Sequence, residues 1–415
     1  MRTRREFMKM AAVAAAGPLG AGSLPGWVEG KHDKHASDAP KLIDVSGAQS
    51  LRAHAEARGL LVGCAVVPEK LDGEAAYANT VAAQANLLVA ENAMKWKALR
   101  PFPAQFDFRG ADEILNFAAA HGQRVRGHNL CWHEALPDWF EGTVTKDNAQ
   151  QILVEHIQTV AGHYAGKLHS WDVVNEAVDP KSGRADGLRK SPWLDLIGPD
   201  YVELAFHAAR QADPVALLTY NDYGIEEDSA EQTEKRAQVM LLVRRLKARG
   251  VPIDAVGVQS HLSASDPVPG TGLRDFVREL GQMGLQVFVT ELDVNERKIE
   301  GTVQERDAAV AHVYRDYPTM MLAEPNVTAL LTWGITDRYT WLNGPKFARA
   351  DGKPQRCLPF DSDYQPAPAF FALRDAIDSR VAKNGLGNGP MPAPKSGDPY
   401  APFTPKAAAP KTEEQ

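Results

Sequence analysis

Eight short apolar runs recur along the chain, and the stretches between them carry helical periodicity. The runs are Leu60–Val66, Leu87–Ala90, Arg124–Trp132, Leu168–Val174, Ala216–Tyr220, Ala255–Gln259, Val287–Leu292 and Val327–Trp333. Helical patterns follow at Asp147–Tyr164, Tyr201–Ala212, Glu231–Ala248, Thr271–Met283 and Val303–Met321. In the first of these, Ile152, Leu153, Ile157 and Val160 fall on one face. Apolar strands alternating with helices make βα units and a parallel sheet. Eight such units in roughly 340 residues predict a single-domain (β/α)8 TIM barrel. An open doubly wound sheet is the alternative, but no GxGxxG follows any candidate strand.

A barrel places its working residues at the C-terminal ends of its strands. Those ends are polar here: Glu91-Asn92, His128 to His133, Asn175-Glu176, Asn221-Asp222, Gln259-Ser260-His261, Glu291-Leu292-Asp293 and Trp333. Glu176 closes Trp171-Asp172-Val173-Val174-Asn175, and Glu291 closes Val287-Phe288-Val289-Thr290. One strand-end glutamate reads as a cap or an ion-pair partner. Two of them, each beside amides, imidazoles or aromatics, suit glycosidic hydrolysis, which needs one carboxyl to protonate the leaving oxygen and another to attack or to activate water. The residues alone allow either glutamate in either role.

Seven segments, in order, resemble glycoside hydrolase family 10, the endo-1,4-β-xylanases, over about residues 50 to 380. They are Glu91–Trp96, Gly127–His133, Trp171–Ala177, Asn221–Tyr223, Gly257–Leu262, Thr290–Asp293 and Thr332–Trp341. The resemblance implies a retaining mechanism with Glu176 as acid/base and Glu291 as nucleophile. His261 and Asp293 would support the nucleophile. Asn175 would bond the sugar 2-hydroxyl, with His128 and Gln259 as further contacts. Glu91, Asn92 and Lys95 would form a distal subsite, Trp132, Trp333 and Trp341 stacking walls, and Tyr223 a contact on the leaving-group side. Xylan and xylo-oligosaccharides are the implied substrates, and no cofactor is implied. Asn129 and Cys131 depart from the family's usual Thr and Val, changes expected to leave His128 and Trp132 in place.

Other classes fit less well. A net charge of −7 with both signs dispersed gives no basic stripe for nucleic acid. His128 and His133 are five apart, a poor match to paired metal ligands on one strand face, so no metal is expected and His133 reads as structural. A related barrel enzyme acting on cellulose or mannan would share the glutamate pair. A non-catalytic sugar-binding barrel would lack one of them. Cys64 and Cys131 sit in apolar runs and read as buried thiols, although a bridge stays open.

Residues 1–30 resemble a twin-arginine export signal: Arg4-Arg5, with Phe7 and Lys9, precedes an apolar run too short to span a membrane. That predicts a periplasmic or secreted protein without a membrane anchor, a monomer by default. Residues 31–45 read as a linker, 46–382 as the catalytic barrel, and 383–415, rich in Pro, Ala and Lys, as a disordered tail.

Overall fold

The structure is a computed structural model that describes residues 43–382. The segments expected to be an export signal (1–30) and a tail (383–415), with residues 31–42 of the expected linker, lie outside the described residues. Val45, assigned above to the linker, is buried and accepts a hydrogen bond from the Gln84 amide.

Nine parallel strands appear in chain order: β1 (Leu61–Val66), β2 (Leu87–Ala90), β3 (Arg124–Cys131), β4 (Ser170–Asn175), β5 (Leu217–Asp222), β6 (Ala255–Val258), β7 (His261–Ser263), β8 (Gln286–Asn295) and β9 (Val327–Thr332). Strands β1 to β6 pair sequentially, β8 pairs with β6 and β9, and β9 pairs back onto β1. Eight strands therefore close a barrel. The ninth, β7, is a short continuation beyond β6 that pairs with the far end of β8, His261 opposite Asp293.

The expected apolar runs are these strands because parallel strands covered by helices bury both faces. Alternate residues divide between two cores. Val62, Cys64, Val66, Val256 and Val258 pack outward against the helices, whereas Ala65, Leu87, Val89, Ala255, Phe288, Ala329 and Leu331 form a separate inner cluster. Two charges share that interior: Arg126 on β3 and Asp172 on β4 form an ion pair with no solvent exposure. Helices occupy the predicted intervals, at Ala149–His163, Tyr201–Ala212, Ala230–Ala248, Thr271–Gln282 and Val303–Leu322. The last begins with a capping box between Thr302 and Glu305.

The chain after β9 matters for the cleft. It carries Trp341 and Phe347, and it is tied down by Glu296, a fully buried carboxylate just past β8. Arg306 and Arg349 both donate to Glu296, as does the Arg356 backbone N–H at 3.0 Å. Removing either arginine would leave an under-compensated buried charge, a change that typically costs about 3–5 kcal/mol.

Candidate active site

A cleft of about 1180 Å³ opens at the C-terminal ends of the strands. Eleven of the predicted residues line it: Lys95, His128, Trp132, Asn175, Glu176, Tyr223, Gln259, His261, Glu291, Trp333 and Trp341. Asp293 is fully buried behind His261. Glu91 and Asn92 are outside that lining but connected to it, since Lys95 Nζ donates to Asn92 Oδ1 at 3.0 Å and Asn92 donates to Glu91 at 3.3 Å. Burial pushes the Glu91 carboxyl up and the Lys95 ammonium down, the latter opposed by Glu291, Glu91 and Glu176.

Glu176 follows the last residue of β4 in a left-handed conformation, φ 57°. Such backbone costs a non-glycine residue on the order of 1–3 kcal/mol and persists where the surroundings impose it. Here its N–H donates to the Asn221 carbonyl at 2.8 Å, and its own carbonyl accepts from Arg189 Nε at 2.8 Å. The carboxylate accepts from Trp132 Nε1 and Gln259 Nε2, each at 2.9 Å, and from Asn175 Nδ2 at 3.2 Å. Burial is the main influence on its pKa and raises it. Asp222 and Glu291 add to the rise, and the Gln259 and Trp132 bonds only partly offset it.

Glu291 lies within β8, and its carboxylate accepts from Asn221 Nδ2 at 2.8 Å and from His261 Nε2 at 3.2 Å. Burial alone would raise its pKa. The His261 bond, the charges of His128 and His261, and the Asn221 bond outweigh burial and hold it at about 2. His261 Nδ1 donates to Asp293 Oδ1 at 2.9 Å, and Asp293 Oδ2 accepts from Trp341 Nε1 at 2.6 Å. Burial works against a charged His261 ring, but Asp293 and Glu291 prevail and its pKa stands well above the ordinary imidazole value. The ring therefore donates from both nitrogens and keeps Glu291 ionised.

The strand register explains this assembly. Pairing of β7 with β8 sets His261 opposite Asp293. Asn221, near the end of β5, ties the two sides of the site together: its Nδ2 donates to Asn175 Oδ1 at 2.9 Å and to the Glu291 carboxylate at 2.8 Å. Space for Asn221 requires glycine at 257, where a Cβ would stand 2.2 Å from Asn221 Oδ1.

Three aromatic walls face this pair. Trp333 stands edge-on to His128 at 5.5 Å between ring centroids, and Trp341 edge-on to His261 at 5.0 Å. Lys95 Nζ sits 5.3 Å from the Trp132 ring and 5.8 Å from that of Trp333. Tyr223, also in the lining, carries Lys235 Nζ 3.9 Å from its ring centroid.

Sequence reading left several contributors without a role. Asp172 joins Arg126 and accepts from His128 Nδ1 at 2.9 Å, fixing that imidazole. A charge inside each of two apolar strands was the available signal. Asn221 stood in a quoted segment with no task assigned. Asp222 stood in that same segment, likewise without a task, and Arg189 and Lys235 gave no signal separable from ordinary surface charge. His133 does not line the main cleft, and burial lowers its pKa to about 4, in keeping with a structural role. Cys64, Cys131 and Cys357 are all buried and unpaired, and burial raises the Cys64 thiol to about 12. Among the described residues no group of three or more His, Cys, Asp or Glu could hold a metal, and no helix is long and apolar enough to cross a membrane.

Comparison with known proteins identifies relatives of this arrangement. Residues 50–376 match the model of Glycosyl hydrolase family 10. Endo-1,4-beta-xylanase A of Thermoanaerobacterium saccharolyticum is 38% identical over 330 residues, covering 76% of this chain and 26% of the relative. Exoglucanase XynX of Acetivibrio thermocellus is 37% identical over 330 residues, covering 76% of this chain and 28% of the relative. The chain thus spans about a quarter of the length of these two relatives. Among solved structures, xylanase 10B from Thermotoga petrophila RKU-1 in complex with xylobiose superposes with a TM-score of 0.72 at 34% identity, covering 79% of this chain and 97% of that one.

Proposed function

Because the chain belongs to glycosyl hydrolase family 10, we propose that it is a retaining endo-1,4-β-xylanase with Glu176 as acid/base and Glu291 as nucleophile. One observation carries the division of labour. The two carboxyls share a cleft, yet burial raises the pKa of Glu176 while an imidazolium and an amide hold that of Glu291 at about 2. Near neutral pH, Glu291 is the group ready to attack and Glu176 the one inclined to keep a proton.

In the first step Glu291 attacks the anomeric carbon and forms an ester bond to it. The glycosidic C–O bond breaks, and Glu176 gives its proton to the departing oxygen. In the second step water attacks the same carbon, its proton passes to Glu176, and the ester bond to Glu291 breaks. Both groups return to their starting state, and two inversions give retention. Asn175, His128 and Gln259 hold the sugar at the cleavage point. Glu91, Asn92 and Lys95 bind the next sugar on the non-reducing side, and Trp132, Trp333 and Trp341 stack on pyranose faces.

The xylobiose complex of the Thermotoga petrophila enzyme supports xylan as the substrate class. A relative named as an exoglucanase makes cellulose the comparison to run. A time course on glucuronoxylan, carboxymethyl cellulose and mannan tests the reading. The expected result is an early ladder of xylo-oligosaccharides and much slower release from the other two. No reducing sugar from any xylan, or a faster rate on cellulose, would defeat it. Export by the twin-arginine route belongs to the same proposal and is supported by Arg4-Arg5 before the apolar run. Replacing both arginines with lysine is expected to hold activity inside the cell, and unchanged export would remove that part.

A further inference from the structure

Arg189 lies thirteen residues beyond Glu176 in sequence, on a loop that folds back against it. Val178 and Leu188 form an antiparallel bridge, and Arg189 N–H donates to the Ala177 carbonyl at 2.7 Å. The return brings the guanidinium beneath the strand end. Nε donates to the Glu176 carbonyl at 2.8 Å, and Nη2 donates to the Val178 carbonyl at 3.4 Å and to the Tyr223 hydroxyl at 3.0 Å. Nη1 lies 3.5 Å from Asp179. One planar, largely buried fork therefore holds both the main chain on which the Glu176 carboxyl is mounted and the Tyr223 hydroxyl.

The carbonyl it grips belongs to a residue in left-handed backbone, φ 57°. Relaxation toward ordinary φ would swing the carboxyl away from the Trp132 and Gln259 donors. The Asn221 carbonyl restrains the N–H side of this residue, and Arg189 restrains the carbonyl side.

We infer that Arg189 is a positioning residue for proton donation: it fixes Glu176 and Tyr223 as one unit, so that the sugar leaving past Tyr223 meets a correctly aimed acid. This rests on the reading of Glu176 as the acid. Arg189 bonds the main-chain carbonyl of Glu176 and not its carboxyl, so its effect is expected on the steps that need the proton.

Leaving-group dependence tests this. Dinitrophenolate leaves a dinitrophenyl β-xylobioside without protonation, whereas the sugar hydroxyl released from xylotetraose needs a proton. For Arg189→Ala the expected result is about a 100-fold fall in kcat on xylotetraose, the scale of a 1 Å misplacement, with formation of the glycosyl-enzyme from the dinitrophenyl substrate lowered less than about 5-fold. Arg189→Lys, which keeps the charge and a single donor, is expected to fall between wild type and Arg189→Ala. Its selective loss decides the matter if Arg189→Ala does not show a cooperative thermal transition. Tyr223→Phe keeps the ring and the grip on Glu176, so its selective loss is expected to stay under about 10-fold.

Equal losses on both substrates in the folded arginine variants, or no loss on xylotetraose, would overturn the inference. So would a Tyr223→Phe enzyme that reproduces the full selective loss, since the effect would then run through the phenol. Glu176→Ala is measured alongside. A selective loss there without one in the arginine variants sinks the positioning role alone. No selective loss in Glu176→Ala sinks the acid assignment and the inference with it.

Discussion

Two strand ends of one barrel each present a buried glutamate, and the fold treats them in opposite ways. Around Glu176 the donors are neutral: an indole, a glutamine amide and an asparagine amide. Around Glu291 one donor is an imidazolium backed by Asp293, which is itself held by the Trp341 indole. Neutral donors only partly offset the cost of burying a carboxylate, so the first group favours its proton. A charged donor more than offsets it, so the second stays ionised. Amino-acid type does not separate the two groups; the donors around each carboxylate do.

The largest break in this comparison is removal of the nucleophile. Glu291→Ala is expected to lose on the order of 10⁵-fold in kcat on every substrate, because no glycosyl-enzyme forms. Glu176→Ala is expected to lose about 10³-fold on xylan but far less on substrates with activated leaving groups, where general acid help is dispensable. Initial rates on xylan and on a dinitrophenyl xylobioside separate the two.

Removing the charged donor brings the two environments closer together. In His261→Asn, burial of Glu291 loses its main counterweight and the carboxyl rises from about 2. Activity needs Glu291 ionised, so the acid limb of kcat/KM, which in the parent falls as pH drops through about 2, should move upward by at least a unit. An unmoved acid limb in this variant would mean that His261 does not set the charge state. Gln259→Leu acts on the other group. Its amide lowers the Glu176 pKa, so its loss raises that value further. Activity needs Glu176 protonated, so the alkaline limb of the pH profile should shift to higher pH while the acid limb stays.

The smallest effect is on stability. The pKa of Glu176 is raised in the fold, so its contribution is favourable at low pH and declines as pH climbs through the folded-state value. Glu176→Gln is therefore expected to raise Tm at neutral pH by about 1–3 °C, and the gain should vanish in acid. Calorimetry at the two pH values reads it directly.

Much of this was legible before the fold was known. Parallel strands buried on both faces must be apolar, so Leu87–Ala90 or Val327–Thr332 could hardly be anything else, and the barrel rule turned their polar ends into a site. The break between β6 and β7 was not legible. It depends on Ser260 at φ 68° and on pairing with the end of β8. Asp172 and Arg126 are charges within apolar runs, but only the register of β3 against β4 places them together beside His128. Arg189 and the Glu296 knot with Arg306 and Arg349 were invisible, because a charged residue in a polar loop reads as solvated until the loop's return is known.

The central claim is that Glu291 forms the covalent bond to sugar and Glu176 does not. Incubation with a dinitrophenyl 2-deoxy-2-fluoro-β-xylobioside, which slows the second step, followed by peptide mass spectrometry, tests it most directly. One fluoro-xylobiosyl group on the peptide containing Glu291 is the expected result, and a label on the Glu176 peptide would overturn the assignment.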